Sequence, residues 1–362
     1  MRFAGSIVLS LIIILTLIAG CTQPASDAKM SPVSPVMTVV GSASPTLTTL
    51  AASGTPVGTP IITSSPVTTP FSGRYIDVHS HIRPDGMDYS LLLSNMDKEG
   101  IDTMVIMEPP GSIWLQGGTP AKYGIPDAGL KYPKRFITLC SGDAGTMLYT
   151  AAKTGSYTPE DETRYKALLL DAARSGTCLG FGEIGVRHFP PSGMPQTYDI
   201  TVPADHSWML AMSDVAAQYG IPVDIHMEAT SDTVAGLERL LAHNRNTIII
   251  WDHAGWGNTP DNTPALMRRL LSENPNLYTS IKFRQDMSDT GFLNAEGTIN
   301  PAWLSVVKEF PDRFMMGSDI KPGIWDNEFR QVKSHVSILS QLPPEIQGKV
   351  ARDNAIRIFK IT

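Results

Sequence analysis

Six side chains able to bind a metal ion stand at suggestive positions in this 362-residue chain: His79, His81, Glu183, His226, His253 and Asp319. His79 and His81 form a His-x-His pair inside an apolar, β-rich run. Strand side chains alternate with period two, so both imidazoles would share one face and offer neutral nitrogens to one ion. Such a pair is a weak sign alone. His226 as a third imidazole and Asp319 as a carboxylate would complete a zinc-like or manganese- or iron-like site, with a position left for water.

A scaffold must bring these distant residues together. Apolar β-rich runs occur at 75–79, 103–107, 136–140, 177–182, 222–226, 247–251, 277–281 and 314–317. Helical stretches alternate with them at 89–99, 162–175, 207–219, 233–243, 264–273, 302–310 and 327–342, and 119–131 is the least regular crossover. Gly100, Gly220, Asn244 and Asn274 sit where helix C-caps belong. Eight strands alternating with helices over about 290 residues predict a (β/α)8 TIM barrel, with 343–362 as an extra closing helix.

Active groups of a barrel come from strand C-termini and the loops after them. His79 and His81 end the first predicted strand, and His226 ends the fifth. Glu183, His253 and Asp319 fall just past the fourth, sixth and eighth, and His188 lies in the loop after the fourth. His206, His243 and His335 fall in or beside helices, where surface or capping roles are expected.

The segments Asp77-Val78-His79-Ser80-His81, Gly182-Glu183-Ile184-Gly185, Asp224-Ile225-His226, Asp252-His253-Ala254-Gly255 and Gly317-Ser318-Asp319 resemble the amidohydrolase superfamily. The C-terminal Asn354-Ala355-Ile356-Arg357-Ile358-Phe359 is similar to the closing helix of its amidohydrolase-related branch. The resemblance spans roughly 74–362. It implies a metal-dependent hydrolase with His79, His81, His226 and Asp319 around a first ion. In binuclear relatives a Glu like Glu183 bridges two ions and a histidine like His253 binds the second. In mononuclear members that histidine stays near the bound water, and Glu183 would then only orient ligands. One or two ions therefore fit, zinc foremost.

The implied mechanism starts from a water acidified by the metal, which also polarises a carbonyl or phosphoryl oxygen. Asp319 would take the water proton and return it to the leaving group, while His253 steadies developing charge or holds a second ion. Arg83, Arg187, Lys282, Arg284 and Lys321 follow strand ends. They are solvated or ion-paired mouth residues, or they bind an anionic group of a small-molecule substrate. Lys282 and Arg284 leave their strand on one face and are the best anion binders by position. Trp251 reads as core, and Trp256 as a pocket lining.

The rest of the chain describes the setting. Arg2, an apolar run from Ile7 to Ile18 and Ala19-Gly20-Cys21 make an export signal over 1–20. Its ending resembles a lipobox, which implies lipidation of Cys21 and attachment to the outer face of the cell membrane. An ordinary signal peptide or a single membrane helix is the alternative. Ser, Thr and Pro fill over half of 22–72, and Asp27 and Lys29 are its only charges. Residues 21–72 thus read as a disordered tether of roughly 40 Å reach before a 73–362 barrel. Cys140 and Cys178 remain in the mature chain; the predicted strands put them at opposite ends of neighbours, so two buried thiols are expected.

A net charge of −6 offers no general attraction to nucleic acid, although a local basic patch is compatible with it. Hydrolysis of a small amide, lactone or ester leads the readings. Non-hydrolytic decarboxylation of an unsaturated acid uses the same metal set. TatD-like nuclease action and a surface-tethered binding module are the remaining alternatives.

Overall fold

The computed structural model describes residues 69–81, 88–109, 125–189, 199–254, 259–282, 291–320 and 329–362. The segments assigned above to signal and tether, up to residue 68, lie outside these, as do Cys21, Arg83, Trp256, Arg284 and Lys321.

A curled, nine-stranded sheet organises the described residues. Its strands are β1 (Tyr75–His81), β2 (Ile101–Met107), β3 (Phe136–Thr138), β4 (Phe181–His188), β5 (Ile200–Thr201), β6 (Val223–Met227), β7 (Ile249–Ala254), β8 (Leu277–Ile281) and β9 (Phe314–Met316). Their order is β3-β2-β1-β9-β8-β7-β6-β4-β5, and every ladder is parallel except β4–β5. Parallel neighbours need crossovers, and helices supply them. They are α1 (Tyr89–Lys98), α2 (Ile125–Lys131), α3 (Gly142–Thr154), α4 (Pro159–Arg174), α5 (Ser207–Tyr219), α6 (Ser231–His243), α7 (Pro264–Glu273), α8 (Pro301–Glu309) and α9 (Phe329–Gln341). Helix α3 is absent from the sequence expectation: its glycines and threonines hide an apolar stripe of Ala144, Leu148 and Ala151.

Local signals explain the helix ends. Thr158 and Thr230 each form a reciprocal capping box, and Thr263 and Asn300 cap helices that begin with proline. Gly220 ends α5 in the left-handed conformation that glycine adopts without Cβ strain.

Alternate strand residues sort to two apolar clusters. Met104, Ile106, Phe136, Ile225 and Trp251 pack in the larger one, which includes the crossover helices. Ile76, Val78, Val105, Ile137, Leu139, Ile250 and Met315 form the second, together with Ala355, Ile358 and Phe359 of α11 (Asn354–Phe359). Helix α10 (Pro344–Gly348) and a π-helical turn (Lys349–Asp353) lead into α11. Upstream, Thr69 O accepts from Gln347 and Phe71 N donates to Ser340 Oγ, so contacts with the domain begin before residue 73.

The two cysteines correct an expectation. They form a disulfide with Cα atoms 5.6 Å apart, well inside the normal range. Strand β3 ends at Thr138 and β4 starts only at Phe181. The stretch before β4 runs beside the end of β3: Leu179 N donates to Thr138 O (2.9 Å) and Cys140 N to Gly180 O (3.0 Å). This stagger brings Cys178, just ahead of β4, level with Cys140, just past β3.

The bridge closes a segment of 38 residues. Thiol titration of the denatured chain should show two more thiols after reduction than before. Replacing both cysteines by serine should lower stability by about 2–4 kcal/mol in denaturant unfolding. Equal thiol counts would exclude the pairing.

Candidate metal centre

β1 carries the histidine pair past a bulge. Between its pairings with β2 it advances from Asp77 to Ser80 while β2 advances only from Met104 to Ile106. The extra residue breaks the phase between apolar Ile76 and Val78 and the pair His79/His81, a common device beside active sites. The imidazoles stand edge to face, with Nε2 atoms 3.3 Å apart. Their Nδ1 atoms are held elsewhere: His81 against Met107 O at 3.2 Å, and His79 against Asp252 Oδ2 at 2.7 Å, an ion-pair contact rather than a straight hydrogen bond. Holding Nδ1 leaves both Nε2 lone pairs to face the same space.

Glu183 sits inside β4, as its third residue, rather than past it. Its Oε2 lies 3.6 Å from His79 Nε2 and 3.4 Å from His81 Nε2. Its Oε1 lies 3.0 Å from His226 Nδ1 and 3.9 Å from His253 Nε2. One carboxylate thus faces four imidazoles, two on each oxygen. Asp319 closes the group just past β9, with Oδ1 2.9 Å from His81 Nε2 and Oδ2 3.9 Å from His253 Nε2. All six residues named from the sequence therefore converge.

Two of them have strained backbones. His253 (φ 70°) and Asp319 (φ 53°) adopt the left-handed region that residues with a Cβ avoid, at about 1–3 kcal/mol each. Asp319 is nevertheless well fastened. Its N–H donates to His79 O (2.8 Å), and Asp77 accepts from Ser318 N (2.9 Å) and from the Ser318 hydroxyl. Gly317 permits this approach, since a Cβ there would lie 2.9 Å from Ser280 Cβ and 3.0 Å from His79 Cβ.

Lys282 takes the ion-paired alternative rather than that of a free substrate anion binder. It is 6% exposed, and its ammonium pairs with Asp319. Removing that ammonium would leave Asp319 as an uncompensated charge in a crowded, mostly dry site. Of the other expected cations, Arg187 pairs with Asp199; Arg83 and Arg284 lie outside the described residues. Trp251 is core, its indole donating to Met227 O at 2.8 Å. His206 caps α5 and His243 pairs with Asp214, but His335 is buried against Tyr75 rather than on the surface.

Among the supports, Glu228 is not singled out from the sequence, and Asp224, Asp252 and His188 are named there without a role. Asp252 holds His79 and accepts from Ser280 Oγ (2.7 Å). Asp224 lies beside it, and Glu228 and His188 lie against His226. The missed signal is spacing: Asp224-x-His226-x-Glu228 repeats the period-two pattern of Asp77-x-His79-x-His81.

Charge dominates the site. Burial would push His79 down, yet Asp252, Glu183 and Asp319 hold it up to about 9. Burial opposes protonation of His226 too, and Glu183 with Glu228 raise it to about 10. Burial, Lys282 and His79 instead push His253 well down. Burial raises Asp224, next to ionised Asp252. Burial is outweighed at Asp319, where Lys282 and His81 hold the carboxyl well below its usual range.

These residues fit a metal. Glu183 Oε2 is buried and accepts no hydrogen bond, while two imidazole nitrogens face it. The described residues contain overlapping donor groups His79/His81/Glu183, His79/His253/Asp319 and Glu183/His226/His253.

Residues 187–361 match the amidohydrolase family model. The matched segment carries the motifs at Asp224–His226, Asp252–Gly255 and Gly317–Asp319 and the C-terminal Asn354–Phe359. No curated protein matches the chain by sequence. Among solved structures, the chain resembles 2,6-dihydroxybenzoate decarboxylase from Rhizobium, with 14% identity, a TM-score of 0.50, and 80% of this chain and 99% of that chain covered. It also resembles dihydroxybenzoic acid decarboxylase from Polaromonas sp. JS666, solved with bound manganese and the inhibitor 2-nitroresorcinol. That likeness has 13% identity, a TM-score of 0.50, and coverage of 80% and 97%. At these identities the likeness is one of fold.

A ligating imidazole must be neutral, so metal binding displaces the protons that His79 holds to about 9 and His226 to about 10. Apparent metal affinity should therefore rise from about pH 6 to about pH 9, by up to roughly tenfold per unit for each displaced proton. Calorimetry in buffers of different ionisation enthalpy reads the released protons; a flat profile would contradict the protonated metal-free site. Separately, Gly317→Ala should cost about 1–3 kcal/mol in denaturant unfolding and reduce bound metal.

Proposed function

We propose that the protein is a metal-dependent hydrolase of the amidohydrolase type, acting on a small amide, lactone or ester. The single observation that carries this is Glu183, whose two oxygens face separate imidazole pairs. A carboxylate so placed suits two ions, one with His79, His81 and Asp319, the other with His253 and with His226, which the resemblance alone would put at the first ion. Zinc is the first candidate for this donor set, with manganese or iron also suited. When bound, such ions polarise the substrate's scissile group and acidify water.

The chain's own residues supply the proton path. Lys282 and His81 hold Asp319 ionised, so it enters as a proton acceptor. Asp319 then returns that proton to the leaving group. His253, kept neutral by burial, offers a ring nitrogen towards Asp319 Oδ2. Asp252 and the Met107 carbonyl keep the His79 and His81 rings turned to the centre.

A second reading is non-hydrolytic decarboxylation, favoured by the fold this chain shares with two decarboxylases. The same donors would hold the metal, and a carboxylate would leave as CO2. For the scaffold, the hydrogen bonds and disulfide joining β3 to the start of β4 support a full (β/α)8 barrel. The export signal and Cys21 support a lipid-anchored protein on the outer face of the membrane, with a small molecule rather than nucleic acid as partner.

Metal analysis of wild type beside Glu183→Gln should show two central ions falling to one. Asp319→Asn should lower kcat by about 10²–10⁴ on whichever small amide, lactone or ester is turned over. Active protein without metal would sink the mechanism, and CO2 release without hydrolysis product would replace it by the second reading.

A further inference from the structure

A second set of donors lies on the outer side of His226. Strands β4 and β6 run in parallel, and Glu228 N donates to Arg187 O at 3.1 Å, which ties their ends together. His188, the last residue of β4, and Glu228, just past β6, thereby meet over the His226 ring. His188 Nδ1 lies 3.1 Å from His226 Nε2 and 3.1 Å from Glu228 Oε1, and His226 Nε2 lies 3.3 Å from the same oxygen.

Hydrogen bonds alone serve this triangle poorly. Two ring nitrogens and one carboxylate oxygen converge: with both nitrogens protonated, two N–H groups crowd towards Glu228 Oε1 from only 3.1 Å apart, and with one protonated, one of the three contacts has no hydrogen. Glu228 is 3% exposed, and its Oε2 is buried without a hydrogen-bond partner. His188 has 22% of its side chain exposed, so the group opens towards solvent.

We infer that His188, His226 through Nε2, and Glu228 form an outer binding site for a divalent transition-metal ion such as zinc, separate from the central site. Two imidazoles and a carboxylate with an open side suit a borderline ion better than calcium or magnesium, which prefer oxygen. His226 can serve because it shows a different nitrogen to each side. With its Nδ1–H donated to Glu183 Oε1 at 3.0 Å, Nε2 keeps its lone pair outward, a carboxylate–histidine–metal arrangement. When Nδ1 ligates in the centre instead, the ring releases its N–H proton to solvent and bridges two ions. Either way Nε2 faces the outer group, so the site does not depend on the proposed hydrolase reading.

Equilibrium dialysis of the full-length protein against Zn²⁺, with zinc and protein both quantified, tests the site. Wild type should hold one zinc more than His188→Ala, and Glu228→Gln should lose the same equivalent. Glu183→Gln should lose zinc from the centre and keep the outer ion. Circular dichroism and Tm check folding, and partly exposed His188 is the safer substitution. With Co²⁺ in place of zinc, His188→Ala should remove one equivalent from the visible titration. Unchanged stoichiometry and affinity in both His188→Ala and Glu228→Gln would overturn the outer site. Unchanged zinc in Glu183→Gln alone would count against the bridged centre and leave the outer site standing.

Discussion

The structure is governed by carboxyl groups placed where water is scarce. Asp77, Glu183, Asp224, Glu228 and Asp252 are buried, Asp319 is largely so, and Lys282 is the one buried lysine or arginine among the described residues. Burying an ionised carboxylate costs several kcal/mol unless it is paired or hydrogen-bonded. The chain divides the group in two. Asp77 is satisfied by Ser80, Ser318 and backbone N–H groups, and Asp252 by His79 and Ser280. Glu183 and Asp319 face inward with imidazoles, and there protons or cations must complete the balance. The high proton affinity of His79 and His226 in the metal-free site is the same demand for positive charge, met by protons.

Strain and close approach are concentrated beside those inward groups. Asp319 and His253 hold left-handed backbones, β1 bulges just before its histidine pair, and Gly317 and Gly182 leave no room for a Cβ. An added Cβ at Gly182 would lie 2.8 Å from Asp224 Cβ. These features cost stability locally and persist because neighbours overdetermine them, which is how preorganised sites are built. The Asp77–Ser318 contacts show the means: a satisfied carboxylate fastens β1 to the turn that aims Asp319. The disulfide joins the stretch just past β3 to the stretch just ahead of β4, three residues before Phe181 and five before Glu183.

The centre was largely legible in the sequence because its residues follow the two simplest rules of a parallel sheet. Period two pairs His79 with His81, and strand C-termini collect His226, His253 and Asp319. Helices α5 and α7 were legible to their end residues for similar reasons, since His206, Gly220, Thr263 and Asn274 mark their caps. Stagger between strands was not legible. Thr177 to Gly182 reads as a strand, but the ladder to β6 starts at Phe181, which moved Glu183 into β4 and Cys178 beside Cys140. Lys282 illustrates a different gap: alternation gave its face, while its partner depended on the distance to Asp319 across β8 and β9.

The same alternation explains why one histidine can belong to two environments. Along β6 and the residue after it, Asp224, His226 and Glu228 share a face, and the chain passes from the buried Asp224–Asp252 support to the open rim within five residues. On β4, Glu183 and His188 are an odd number of residues apart, and a register slip between Gly185 and Arg187 in the β6 ladder resets the phase between them. That slip brings His188 to the same ring that Glu183 meets from the inside. Without it, His188 would take the opposite face, and His226 Nε2 would have Glu228 alone. The irregular pairing of β4 is thus what gives the imidazole two occupied sides, one towards the centre and one towards solvent.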